Sequence, residues 1–184
     1  SGTNEFEGEV FYEYSSDSLA GDQTNDEGND VDFDFERKVM GASFSGPLIE
    51  DELFFHVSYE KYNAPFVTQD GLAGSGAPDE TPITQAHVDQ IVNIARDVYG
   101  VDAGIAMPTP DEEDEKLLVK LDWDINNEHR AAFTYQLTDG TNARPQGTFT
   151  SGSYGEIGLS SHWYLKSEEL QVFSAHLYSD WTDN

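Results

Sequence analysis

Between Leu117 and Ile125 the odd positions are apolar (Leu117, Val119, Leu121, Trp123, Ile125), while Lys120, Asp122 and Asp124 fall between them. Side chains on a strand alternate faces, so this spacing predicts a strand with one continuous apolar face and one charged face. Asn126-Asn127 supplies a tight polar turn. After it Ala131, Phe133, Tyr135 and Leu137 repeat the pattern opposite Arg130, Thr134, Gln136 and Thr138.

The same alternation predicts five further strands. From about Thr3 to Ser15, Phe6, Gly8, Val10, Tyr12 and Tyr14 face Glu5, Glu7, Glu9 and Glu13 across the strand, with Phe11 as the exception. From about Asp32 to Ser45, Phe33, Phe35 and Val39 share a face opposite Asp34, Glu36 and Lys38, which leaves Arg37 on the apolar side. From about Glu52 to Tyr62, Leu53, Phe55, Val57 and Tyr59 point one way and His56, Ser58 and Glu60 the other. A sixth strand is expected over about Ser153 to Leu165, with Ile157, Leu159, Trp163 and Leu165 opposite Glu156, Ser160 and His162. Lys166-Ser167-Glu168 is expected to turn it into a seventh, about Gln171 to Trp181, where Phe173, Ala175, Leu177 and Trp181 alternate with Ser174, His176 and Tyr178.

Between these runs lie segments rich in Asp, Asn, Gly and Pro, read as loops over about 16–31, 63–114 and 139–152. The longest carries one helix signal. Thr84 can cap it, Val88, Ile91, Val92, Ala95 and Val98 recur at helical spacing, and Gly100 can end it. Its apolar face is expected to pack on its own loop. Long connections thus follow the first, third and fifth strands, and short ones the second, fourth and sixth. Such sorting marks an up-and-down barrel with extracellular loops on one rim and short turns on the other. The fold class expected is therefore all-β: an antiparallel meander of about seven long strands from a transmembrane β-barrel, with one short helix in a long extracellular loop. Seven strands leave two free edges, so an open sheet is expected. Leu117, Val119, Leu121, Trp123, Phe133, Tyr135, Leu159, Trp163, Phe173 and Leu177 should share its lipid-facing side. Glu7, Glu9, Glu36, His56, Glu60, Lys120, Arg130, Gln136, Glu156 and His176 should share the other. The competing reading is a soluble, acidic, β-rich surface module for sugar or calcium, which would bury the apolar side against a second sheet.

Composition sharpens this. The 184 residues hold 36 acidic against nine basic side chains, a net charge of −27. That balance excludes nucleic acid as a partner, since phosphate binding needs clustered Lys and Arg. No stretch approaches the roughly 18 apolar residues of a membrane helix, a fact that leaves barrels untouched. Cysteine is absent, removing disulfides and thiolate metal sites. The chain opens at Ser1 with no signal sequence, which reads as a processed or excised segment.

Three segments carry a family resemblance. Ser1-Gly2-Thr3-Asn4-Glu5-Phe6-Glu7-Gly8-Glu9-Val10-Phe11-Tyr12 resembles the first barrel strand of TonB-dependent outer-membrane receptors of the Oar-like type. Gly46-Pro47-Leu48-Ile49-Glu50-Asp51-Glu52-Leu53-Phe54-Phe55, continued by Ser58-Tyr59-Glu60, resembles that family's next hairpin. Lys120-Leu121-Asp122-Trp123-Asp124-Ile125-Asn126-Asn127-Glu128-His129-Arg130 is a third match in the same order. The resemblance implies that residues 1–184 are part of a receptor barrel of about 22 strands, sited in the outer membrane of a Gram-negative bacterium. It implies active transport of a bulky solute, coupling to TonB–ExbB–ExbD through a plug region outside this chain, and contact with outer-membrane lipid and lipopolysaccharide. It implies no catalytic residues and no cofactor.

Several residues invite a chemical reading. His56, His162 and His176 are expected along the lumen as ordinary polar lining, because the five histidines form neither an HExxH motif nor a close ligand pair. Asp22, Asp26, Asp30 and Asp32 suggest a calcium loop, but Gly28 misses the position an EF-hand requires. Gly71-Leu72-Ala73-Gly74-Ser75-Gly76 lacks the Lys of a phosphate loop. Trp123, Trp163, Trp181, Tyr12, Tyr14, Tyr59 and Tyr62 fit interfacial girdles. Nothing signals an enzyme or a metal centre. The candidate solute contacts are Glu13, Glu60, Tyr62 and Gln136, polar positions near the extracellular rim.

Overall fold

The structure, a computed structural model, describes residues 2–21, 23, 24, 28, 30, 31, 35–66, 68, 70–106, 108–144 and 156–181. Its main body is one six-stranded sheet made of β1 (Glu7–Ser16), β2 (Glu36–Ile49), β3 (Leu53–Pro65), β4 (Asp111–Asn126), β5 (His129–Arg144) and β6 (Tyr164–Ser179). Each strand pairs antiparallel with its neighbours in sequence, so the sheet is a meander. β1 and β6 do not pair with each other, and the sheet is open at both.

Register fixes which residues share a side, because directly opposed residues point the same way. Phe44, Val57, Val119, Tyr135 and Phe173 form one continuous row across β2 to β6. One row toward the short turns, Phe55, Leu121, Phe133 and Ala175 continue it, and Leu53, Trp123, Ala131 and Leu177 follow. Phe6 stacks on Phe44 on this side, ring centroids 5.7 Å apart, and Phe44 meets Phe55 at 5.5 Å. Among the described residues nothing covers this apolar side: Val10 is 84% exposed, Phe173 75% and Leu177 67%. Among the described residues only Val39, Phe54, Ala64, Val88, Ala131 and Ala143 are buried apolar side chains. A sandwich of this length would bury far more.

The apolar band has limits. Toward the long connections the same side continues with Ala42, Tyr59, Leu117, Leu137 and Gln171, and the row after that is Met40, Lys61, Glu115, Asp139 and Glu169. From Leu117 to Ile125 the band therefore spans a stretch that matches the roughly 9–11 residues a tilted strand needs to cross a bilayer. Beyond it the strands run on with polar residues on both sides. Tyr12, Tyr14 and Tyr59 sit on the apolar side at the long-connection end, and Trp123 at the other, with its Nε1 donating to Glu52 Oε1 at 3.2 Å. Trp181 meets His129 at a tilt, ring centroids 5.4 Å apart, near the same short turns.

The short turns are built for sharp reversal. Asp51 adopts φ 60°, and its backbone N–H donates to Asn4 Oδ1 at 2.9 Å. Asn126 Oδ1 accepts from the backbone N–H of Glu128 and His129, both at 2.9 Å, closing the β4–β5 hairpin. Two glycines admit aromatic rings. A Cβ on Gly41 would lie 2.4 Å from the Phe11 ring, and one on Gly46 2.2 Å from Phe6. Phe11, the exception in the first strand's pattern, thus lies on the polar side over Gly41.

Several expectations need correction. The strand expected over Ser153 to Leu165 does not form among its described residues: Leu159 bridges Ala106, and Ser160–His162 is a 3₁₀ turn. Residues 153–155 lie outside the described residues. Lys166-Ser167-Glu168 is no turn but part of β6, paired with Asn142, Thr141 and Gly140. Leu159 and Trp163 accordingly leave the apolar set, and Glu156 the polar one. Trp163 is not a girdle residue: it meets Phe66 edge-on at 5.6 Å and donates to the Gly158 carbonyl. Glu36 falls on the apolar side, beyond the band, where it pairs with Lys38 at 2.9 Å. Arg37 and Val39 fall on the polar side, resolving the conflict Arg37 posed. Tyr62 also faces the polar side rather than the girdle.

The connections after β1, β3 and β5 (residues 17–35, 66–110 and 145–163) are long, and those after β2 and β4 (50–52 and 127–128) short. The longest carries the helix Gln85–Tyr99, capped reciprocally by Thr84 and His87 and ended by Gly100 at φ 66°. It also carries a short parallel ladder, Asp70–Gly71 with Asp79–Glu80. Among the described residues no helix is long and apolar enough to cross a membrane.

Candidate functional site

The polar side of the sheet is hollowed into two adjoining grooves near the long-connection end. The first, about 490 Å³, is lined by Phe11, Glu13, Arg37, Val39, Glu60, Tyr62, Asp114 and Lys116. The second, about 470 Å³, adjoins it through Phe11, Glu60 and Lys116 and reaches Glu9, His56, Ser58 and Gln136. Strand alternation delivers these side chains: Glu9, Phe11 and Glu13 from β1, His56, Ser58, Glu60 and Tyr62 from β3, Asp114 and Lys116 from β4.

All four candidate contacts therefore fall on the polar side. Glu13, Glu60 and Tyr62 line one groove, and Gln136 lines the other beside Glu60. Lys116 Nζ lies 3.0 Å from Glu60 Oε1 and 2.8 Å from Asp114 Oδ1, fixing both carboxylates from one cation. The Arg37 guanidinium lies 5.7 Å from the Tyr62 ring centroid, over its face, a contact worth roughly 0.5–1 kcal/mol at an exposed site. Glu9 and Glu13 have no ion-pair partner among the described residues. His56 and His176 face this side as expected, whereas His162 lies off the sheet in the 3₁₀ turn.

Sequence reasoning missed Phe11, Arg37, Asp114 and Lys116 as groove residues. Arg37 was recoverable: parity counted back from Met40, Ala42 and Phe44 puts it on the polar side. Asp114 and Lys116 sit in an acidic run that resembles loop, and only pairing with β3 shows it is strand.

The glycine-rich segment holds an anion of its own. Gly74 and Gly76, at φ 81° and 82°, donate backbone N–H groups to Glu80 at 2.8 and 2.7 Å. These bonds, Gly74 first, hold the Glu80 carboxyl below its ordinary value. Among the described residues no group of three or more His, Asp or Glu converges as a metal site. Asp22, Asp26 and Asp32 lie outside those residues.

An open meander with an uncovered apolar band, a polar grooved side and sorted connections defines a segment of an outer-membrane β-barrel. Residues 1–73 match the family described as "Outer membrane beta barrel domain". No curated protein and no solved structure matches the chain. Fold and match together place the chain in the outer membrane of a Gram-negative bacterium.

Proposed function

We propose that the chain is part of the wall of a TonB-dependent receptor barrel that actively transports a bulky solute, the long connections facing outward. The observation that carries this reading is the pair of grooves on the polar side, at the rim a solute meets first. The three segments in family order, from Ser1–Tyr12 to Lys120–Arg130, support the receptor type. The exposed apolar band disfavours the soluble binding module, which has no second sheet to cover it.

The grooves supply hydrogen-bond acceptors, two cations in Lys116 and Arg37, and an aromatic face at Phe11. A solute sliding along such a wall trades hydration for these groups without being held by any one of them. The test is uptake by cells carrying the whole receptor, in strains with and without TonB. Receptor-dependent accumulation that needs TonB, and that falls when Glu13 and Glu60 are both changed to Gln, is the expected result. Receptor-dependent accumulation that is equal without TonB would refute the energised mechanism. Uptake indifferent to the double substitution would make these residues passive wall.

A further inference from the structure

We infer that the helix Gln85–Tyr99 is a docking element for a polypeptide partner that presents an apolar ridge flanked by lysine or arginine. The inference is independent of which solute the barrel passes. The helix's apolar arc is wide, and its own loop uses one margin of it, with Val88 buried and Val92 and Ala95 half-buried. The other margin stays open: Ile91 is 56% exposed and Val98 69%, with Ile94 beside them. Val101 and Ile105, just past the Gly100 cap, extend the patch and are also exposed. The capping expected from the sequence is present, and the packing expected for this face covers only one margin of it.

A second observation shows that this surface is held for use rather than loose. The segment after the helix is fastened to the connection between β5 and β6. Ser160 N–H donates to the Ile105 carbonyl at 2.8 Å, Ile105 N–H donates to Ser160 Oγ at 2.9 Å, and Ala106 bridges Leu159. The two long connections are thereby tied together, so the exposed margin has a fixed setting and costs less to order on binding.

Charge selects the occupant. Asp89 and Asp102 fringe the stripe, and Arg96, the helix's only Lys or Arg, is already occupied by Asp97 at 2.8 Å and Asn93 at 2.7 Å. A second copy of this chain carries the same −27 charge and is repelled. An anionic lipid surface is repelled likewise. A cationic, amphipathic polypeptide satisfies both the apolar margin and its acidic fringe.

The test uses the intact outer-membrane protein on cells, with two synthetic helical peptides as probes: one of Leu and Lys, one of Leu and Glu in the same pattern. The Leu/Lys peptide should bind and the Leu/Glu peptide should not. The double variant Ile91→Asp/Val98→Asp should weaken Leu/Lys binding at least about tenfold, a loss of two hot-spot side chains, although it makes the surface more acidic. Tighter or unchanged binding would show that the peptide reads net charge alone, and would overturn the inference. Equal binding of the Leu/Glu peptide, or self-association of the protein abolished by the same variant, would overturn the choice of occupant. Ile91→Ala/Val98→Ala keeps the helix, since Ala is the best helix former, and should weaken binding in the same direction. Full binding by this second variant would overturn the inference even if the aspartate variant misfolds.

Discussion

Val119→Arg should destabilise the inserted protein by about 2–4 kcal/mol, the cost of Arg on the lipid face at the bilayer midplane. Its depth follows from the register. Val119 sits between Val57 and Tyr135 in the middle of the apolar side, with the charged row at Glu115 and the girdle row at Trp123 equally far along β4. At roughly 3.3 Å per residue and a tilt of about 40°, each lies about 10 Å from Val119 along the membrane normal. Two controls share the chemistry and change only the setting. Asn63→Arg keeps the same side but lies beyond the band, and should cost about 0–1 kcal/mol. Thr134→Arg lies on the polar side opposite Lys120, and should shift stability by under about 1 kcal/mol. The assay is reversible denaturant unfolding of the intact protein in phospholipid vesicles, followed by tryptophan fluorescence. A Val119→Arg cost below 1 kcal/mol, or one matched by Thr134→Arg, would refute the assignment of faces.

Other consequences are equally direct. Gly41→Ala puts a methyl 2.4 Å from the Phe11 ring and 2.8 Å from the Tyr59 carbonyl. It should cost about 1–3 kcal/mol as overpacking, and Phe11→Leu should recover part of it in the same unfolding assay. Lys61 donates to Glu115 at 2.8 Å on the apolar side beyond the band. Its hydrogen bond, then its charge, hold the Glu115 carboxyl below its ordinary value. A carboxyl depressed on folding stabilises above its unfolded pKa, and that contribution fades as pH falls through its folded pKa. Lys61→Met should therefore return the Glu115 titration, read by carbonyl NMR, upward to the ordinary range. Glu80→Gln removes the charge held by Gly74 and Gly76, and limited proteolysis should cut residues 70–80 faster. In the unsubstituted protein the same cut should speed up as pH drops through the lowered Glu80 pKa.

The alternation rule read the membrane part of this chain well and failed outside it, for one physical reason. Between Leu117 and Trp123 one side of the strand meets lipid, so polarity reports facing. Past Lys61 and Glu115 both sides meet water, and polarity no longer separates strand from loop. Asp111–Asp114 accordingly reads as loop although it pairs with β3, and Asp139–Arg144 although it pairs with β6. Lys166-Ser167-Glu168 looked like a turn for the same reason. The Leu159–Trp163 stretch erred in the opposite sense: Leu159 makes only an isolated backbone bridge to Ala106 and Trp163 meets Phe66 edge-on, with no continuous ladder between them. Glu13, Glu60, Tyr62 and Gln136 were legible because period two sets their facing. Their convergence in two adjoining grooves needed the register between β1, β3 and β5, which no single strand encodes.

The central claim is that one side of this sheet faces lipid and the other water, and a nitroxide scan of β4 tests it directly. Residues 1–184 hold no cysteine, so single-cysteine labels at positions 117 to 123 of the intact protein in bilayers, with any cysteine elsewhere replaced by serine, report without background. Collision with oxygen, which concentrates in lipid, should peak at positions 117, 119, 121 and 123. Collision with a water-soluble nickel chelate should peak at 118, 120 and 122. Odd positions shielded from both reagents, or a profile without period two, would contradict it.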